Sequence, residues 1–160
     1  MRAVLVVIFI IFTACSTSTT AHHAKKTQLP KYKPKSKNYI TTALYKEYKK
    51  WYKTPYRYGG YNKNGIDCSS LIQRVYKDAF NIDIPRTTKQ QAKVGYRVSK
   101  NSSKEGDLIF FKTGFSSRHS GIIIEKGRFI HASTKYGVCI SHINNPYWRD
   151  KYWQTRRLLP

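Results

Sequence analysis

Apolar positions fall into two regimes along the 160-residue chain. In the first half they recur at helical intervals. Ile40, Leu44, Tyr48 and Trp51 lie three or four residues apart, which predicts an amphipathic helix over Asn38 to Lys53, stopped by Pro55. A turn-rich stretch follows, from Tyr56-Arg57-Tyr58-Gly59-Gly60 through Asn64-Gly65, where glycines permit tight backbone geometry. Leu71, Ile72, Val75, Tyr76, Ala79 and Phe80 then form a wide apolar stripe. That stripe predicts a helix starting at or beside Cys68 and closed by Asn81 and Pro85. A shorter helix is expected over Thr87 to Val94. From Asp107 onward the period changes. Asp107 to Phe111, Gly121 to Glu125, Arg128 to His131 and Val138 to Ile143 are short β-branched or aromatic runs separated by Gly, Ser and Asn. Helices first and an antiparallel meander afterwards imply one α+β domain over residues 38–160, without internal repeats.

The N-terminal residues do not belong to that pattern. Met1-Arg2 gives a minimal positive start, and Ala3 to Phe12 is an unbroken apolar run. The run is far shorter than the ~20 residues a membrane-crossing helix needs, and it matches the apolar segment of a secretory signal. Thr13-Ala14 then lead into Cys15. This small-small-Cys ending resembles the bacterial lipoprotein signal, with Phe12 where that pattern usually has Leu. The resemblance implies a signal peptide over 1–14 and lipidation of Cys15, with palmitate among the acyl chains. Ser16 in place of Asp resembles the outer-membrane sorting pattern of Gram-negative lipoproteins. Residues 15–37 read as a tether: Ser-, Thr- and Lys-rich, with Pro30 and Pro34 and no apolar periodicity. Between Lys25 and Lys37 there are six lysines and no acid, so the tether serves as a spacer or as an adhesive for an anionic surface.

Charge changes the picture further. Thirty Lys and Arg against 8 Asp and Glu give a formal net charge of +22, which biases the chain toward polyanions: nucleic acid, anionic lipid or an acidic wall polymer. The export signal and tether point outside the cytoplasm, so no nucleic-acid partner is expected. A hydrophobic content of 40% supports a folded domain over a disordered one.

Three cysteines are present: Cys15, Cys68 and Cys139. With Cys15 lipidated, only Cys68 and Cys139 remain to form a disulfide, and this is the structural alternative for Cys68. Its position argues for chemistry instead. At a helix N-terminus, free backbone N–H groups and the helix dipole stabilise a thiolate, whereas Cys139 alternates with Val138 and Ile140 as a plain strand residue. A nucleophilic Cys needs a base, and that base needs an orienting group. His22 and His23 lie in the tether, and His142 sits near the end of the last strand without an evident partner. His119 and His131 flank a hairpin turning at Lys126-Gly127, so they fall near each other across the strand pair. Asp67 supports the helix start rather than acting as an acid. The histidines lack the Cys, Asp or Glu company of a zinc site, so neither metal nor cofactor is expected.

Five motifs in order extend this reading: Tyr56-Arg57-Tyr58-Gly59-Gly60, Gly65-Ile66-Asp67-Cys68-Ser69-Ser70, Glu105-Gly106-Asp107-Leu108-Ile109-Phe110-Phe111, His119-Ser120-Gly121-Ile122 and Gly127-Arg128-Phe129-Ile130-His131-Ala132. Together, from about Tyr56 to Trp148, they closely resemble the NlpC family of cell-wall cysteine peptidases. The resemblance implies a papain-like fold, with Cys68 as nucleophile, His119 as base, His131 as orienter and Tyr56 as a hydroxyl donor near the oxyanion. It implies hydrolysis of amide bonds in peptidoglycan stem peptides or cross-links by an exported, periplasmic lipoprotein, expected to be a monomer. Ser70 stands where the family usually has Gly, Ser120 where it has Val, and Glu105 where it has Pro. Ser70 is expected to crowd the nucleophile's helix, and Ser120 to loosen packing under His119. An acyltransferase on the same scaffold, or a non-catalytic basic module coating anionic polymer, are the alternative functions.

Overall fold

The computed structural model describes residues 39–159. The signal, Cys15 and the tether lie outside the described residues. Helix α1 spans Tyr39–Trp51 and buries Leu44, Tyr45, Tyr48 and Trp51, the face its periodicity predicts. It ends two residues short of the predicted Lys53, because Lys53 itself turns left-handed, with φ 59°. The amide of Lys53 then bonds Val138 O, while Val138 N bonds Thr54 O, pinning the helix end to a later strand. Strands β1 (Tyr61–Asn62) and β2 (Gly65–Ile66) form a small hairpin within the stretch expected to be turns alone. Helix α2 spans Cys68–Phe80, capped by Asp67 and terminated by Asn81 in the left-handed region. Helix α3 is a single turn, Thr88–Gln91, opened by a Thr87/Gln90 capping box and shorter than the expected Thr87 to Val94.

The rest is sheet. Strands β3 (Tyr96–Val98), β4 (Leu108–Lys112), β5 (Arg118–Glu125), β6 (Arg128–Ser133), β7 (Gly137–His142) and β8 (Tyr152–Arg157) lie in the order β3-β8-β4-β5-β6-β7, every pair antiparallel. The meander β4 to β7 is the expected one. The last strand, which follows the short helix α4 (Pro146–Lys151), returns to insert between β3 and β4.

Both sheet faces are covered, which is why β4 and β5 read as continuous apolar runs rather than alternating ones. Leu108, Phe110, Ile122, Ile124, Ile130 and Val138 pack with α1 and α2. On the other face Ile109, Phe111, Ile123 and Phe129 pack with Ile143, Trp148 and Tyr152. This is the expected α+β class. Among the described residues, no helix is long and apolar enough to cross a membrane.

One ion pair ties β8 to the start of β4. Asp107, only 1% exposed, receives Arg157 Nε and Nη2, both at 2.8 Å, together with the Lys104 amide. Removing one partner leaves a buried charge uncompensated, at a cost of about 3–5 kcal/mol. Asp107→Ala is therefore expected to lose that much stability in urea denaturation, with β8 the first strand to gain hydrogen exchange. A loss below about 1 kcal/mol, the range of an exposed pair, would contradict this reading.

Candidate active site

Asp67 organises the start of α2. Its carboxylate accepts the Ser70 amide at 2.7 Å, the Ser69 hydroxyl at 3.0 Å and the Gly59 amide at 3.1 Å. Arg86 meets it with both terminal nitrogens, at 2.7 and 3.1 Å. Burial alone would raise this carboxyl, but Arg86 and the Ser70 and Ser69 donors outweigh it and hold Asp67 below the ordinary carboxylate range. The expected capping role is thus the observed one, and Arg86, which the sequence reading missed, is its charged partner. Gly60 is required here, since a Cβ would lie 2.4 Å from Gly65 O. Cys68 is the first residue of α2 and is buried at 7% exposure.

The two histidines come together as expected. The register pairs Ile122 with Ile130, so His119 stands diagonal to His131 rather than directly opposite. His119 Nε2 lies 3.0 Å from His131 Nδ1, and His131 Nε2 lies 2.8 Å from Ser141 Oγ. Gly121 keeps space beside the pair: a Cβ there would sit 2.6 Å from Phe129 and 2.7 Å from Ile130 O. Trp148 stacks on His119, with centroids 5.2 Å apart, and meets His131 edge-on at 5.0 Å. Neither Ser141 nor Trp148 was singled out in the sequence, because neither carries a motif of its own. Cys139 is more than a plain strand residue, since its Sγ lies 3.5 Å from His131 Nε2.

Burial pushes the His119 imidazole down to about 4. Burial, and then the neighbouring His119, hold His131 well below the ordinary histidine range. Both rings are therefore neutral at pH 7. If His119 is to take a proton at Nδ1, its Nε2–H must donate to His131 Nδ1, and His131 Nε2–H must then donate to Ser141. One tautomer of each ring satisfies the whole chain.

The thiol does not hydrogen-bond to His119. Its partner is Thr88 Oγ1 at 3.6 Å, and Thr88 in turn lies 3.4 Å from Ser120 Oγ. These contacts bring Cys68 within two hydrogen bonds of the residue adjoining His119. The Ser120 expectation is corrected: its side chain points away from His119, toward α3, because neighbouring strand residues face opposite sides. Ser70 is 1% exposed, and its hydroxyl is buried without a hydrogen-bond partner. Cys68 and Cys139 are both free thiols, so the disulfide alternative is not realised. Tyr56 stands between the two halves of the site. It lines a cavity of about 610 Å³ containing Cys68, Arg86 and Thr88, and an adjoining one of about 470 Å³ containing His119, His131 and Trp148. Burial, followed by Cys68 and Asp67, raises the Tyr56 phenol, so it keeps its proton to donate. Among the described residues no group of three or more His, Cys, Asp or Glu is placed to hold a metal ion.

A cysteine at a helix start, a paired-histidine strand hairpin and a covering α1 form one arrangement, and it has relatives. Residues 53–157 match the NlpC/P60 family. The chain belongs to that family. The probable endopeptidase NlpC of Escherichia coli K12 is 38% identical over 151 residues, covering 93% of this chain and 97% of that one. The E. coli protein named murein DD-endopeptidase MepS/murein LD-carboxypeptidase is 41% identical over 120 residues, 75% of this chain and 64% of that longer one. Among solved structures, an NlpC/P60 family protein from Bacillus cereus superposes with a TM-score of 0.68 at 33% identity, covering 75% of this chain and 40% of that one. The papain-like α+β fold expected from the motifs is the fold of this NlpC/P60 domain.

The neutral histidines couple stability to pH. In the unfolded chain His119 binds a proton below about 6.5, whereas folded it does so only at about 4. Between these values the unfolded state holds more protons, so stability is full above pH ~6.5 and falls as the pH drops toward 4. Melting curves at pH 7 and pH 4.5 are expected to show this loss, and His131→Asn is expected to shrink it. A pH-independent midpoint over that window would refute the buried neutral pair.

Proposed function

We propose that this chain is a peptidoglycan endopeptidase that hydrolyses an amide bond of a wall stem peptide or cross-link through Cys68, His119 and His131. The observation that carries the reading is the hydrogen-bonded file His119–His131–Ser141, whose cavity shares Tyr56 with that of a cysteine at the helix start. The names of the NlpC and MepS relatives support the substrate class.

The thiol leaves Thr88, and His119 Nδ1 takes its proton. The thiolate attacks the carbonyl carbon, and the oxyanion is held by the Tyr56 hydroxyl and the Cys68 N–H. The C–N bond breaks, and His119 returns its proton to the departing amine. Water then attacks the acyl-enzyme with His119 again as base, which releases the acid and restores the thiol. An imidazolium is costly in this buried site, so it forms only together with negative charge on sulfur or oxygen. His131 steadies it by accepting the Nε2–H.

Cys15 extends the proposal to location. We infer export to the periplasm and a lipid anchor at Cys15 in the outer membrane, on the strength of the small-small-Cys ending and Ser16. Several acyl chains give a firm hold, at ~0.8 kcal/mol for each buried CH₂. The mature chain is expected to partition into detergent and Cys15→Ser to block processing. A soluble mature form starting elsewhere would contradict the anchor.

Purified muropeptides resolved by mass after digestion test the chemistry. Cys68→Ala and His119→Asn are expected to lose at least about 10³-fold in turnover, since an amide cannot take the thiol proton. His131→Asn, which still offers a hydrogen bond to His119, is expected to keep measurable turnover, and His131→Ala to lose most of it. An active His119→Asn beside a dead His131→Asn would reverse the assignment of base and orienter. Products joined to an added amine instead of free acids would point to acyl transfer.

A further inference from the structure

A third cavity, of about 570 Å³, opens on the α3 side of the sheet, lined by Lys89, Ala92, Lys93, Ser116, Arg118, Trp153 and Gln154. Its size lies within the ~300–1,000 Å³ of small-molecule sites, and an aromatic wall with a few polar groups is their usual composition. It adjoins the Cys68 cavity through Lys89, Ser116 and Arg118. Arg118 borders the histidine cavity as well. The three cavities therefore share walls, which suits a polymer more than a short peptide.

The site is built in advance. Gln154 donates to Ala92 O at 3.0 Å, and Arg156 donates to Val94, Lys93 and Gly95 carbonyls at 2.8, 3.1 and 2.6 Å, closing the seam between α3 and β8. Trp153 is half-buried against the core and braced edge-on by Phe110. Arg118 Nη1 is held by the Gly114, Phe115 and Ser117 carbonyls, and its guanidinium lies over the Trp153 ring, 5.6 Å from the centroid, so the cation and the indole form one wall. Among the described residues, the ion pairs of Asp67, Asp107 and the other acids do not include Lys89, Lys93 or Arg118.

We propose that this cavity is a saccharide subsite: a sugar ring of the wall glycan lies against Trp153, and acidic groups beside it meet Lys89, Lys93 and Arg118. A pyranose ring offers a C–H-lined face to an indole, and its hydroxyls and acetamides accept hydrogen bonds from cations. The choice of ligand rests on the endopeptidase reading. It adds that the substrate is recognised with its sugars attached.

Two measurements test it. On a disaccharide-linked stem, Trp153→Ala is expected to raise KM about tenfold, equivalent to about 1.4 kcal/mol, with kcat unchanged. On the same stem freed of sugars, KM is expected to stay constant. An equal rise on both substrates, or none on either, would overturn the subsite. The exposed Lys89→Glu/Lys93→Glu pair should show the same selective rise without disturbing the core, which keeps the test valid if Trp153→Ala folds poorly. Separately, peptide-free glycan strands should bind the whole Cys68→Ala chain and lose that binding with Trp153→Ala. Strands that fail to bind, or bind no better than polyphosphate regardless of Trp153, would overturn it. Glycan binding through Trp153 in a chain that cleaves neither stem would retain the subsite and remove the endopeptidase reading.

Discussion

A single carboxylate sets where the proposed nucleophile can be. Asp67 bonds the first turn of α2, the Gly59 turn that follows Tyr56, and the Arg86 guanidinium just before α3. Three separate chain segments therefore meet at one buried group. Cys68 follows Asp67 directly, Tyr56 precedes the tethered turn, and Thr88 lies two residues beyond Arg86. Losing this carboxylate would free an orphan helix start and leave Arg86 unpaired at the same time. The geometry of the thiol, its Thr88 partner and the Tyr56 hydroxyl all depend on it.

The proposed base arrives by an independent route. His119 is fixed by the β5–β6 register and by the aromatic packing of Trp148, on the sheet face that also holds Phe129. The Cys68–Thr88–Ser120 file lies on the helix side. Cys68 and His119 are thus held by different cores, and β5 is the element common to both. Consecutive residues of one strand, His119 and Ser120, serve the two sides because side chains alternate across a sheet. A one-residue slip in β5 would exchange them and separate the site, so register here is a functional constraint as well as a packing one.

Which parts of this were legible in the sequence follows from how local each signal is. The α1 and α2 stripes, the Asp67 cap, the meander and the His119/His131 hairpin all rest on spacing within one or two elements. Strand β8 was missed because its pattern runs the opposite way. Its most buried residues are Gln154 and Thr155, satisfied by Ala92 O and Tyr152 OH, while Arg156 and Arg157 lie partly open. Strand β3 is a three-residue, mostly exposed edge whose only partner among the described residues is that unseen strand. Arg86, Thr88, Ser141 and Trp148 are ordinary residues made functional by contacts across long sequence distances. The expectation that Ser120 sits under His119 failed for a simpler reason: it took neighbours in sequence as neighbours on one face.

The way acids are used bears on the proposed orienting role of His131. The chain has 8 Asp and Glu, and Glu47, Asp67, Asp83, Asp107, Glu125 and Asp150 pair with Lys or Arg. Among the described residues, no carboxylate is paired with His119. A carboxylate in the place of His131 would favour the imidazolium and raise His119 toward or above its ordinary value. The neutral His131 does the reverse, because it accepts the Nε2–H without supplying charge, and burial then keeps His119 low. Such a base remains unprotonated over the whole physiological range and gives up its proton readily to a leaving amine. It is a weaker proton acceptor in return, so the step must be assisted by charge stabilisation at the oxyanion. That places the greater demand on Tyr56 and the α2 N-terminus, the two features that Asp67 holds together.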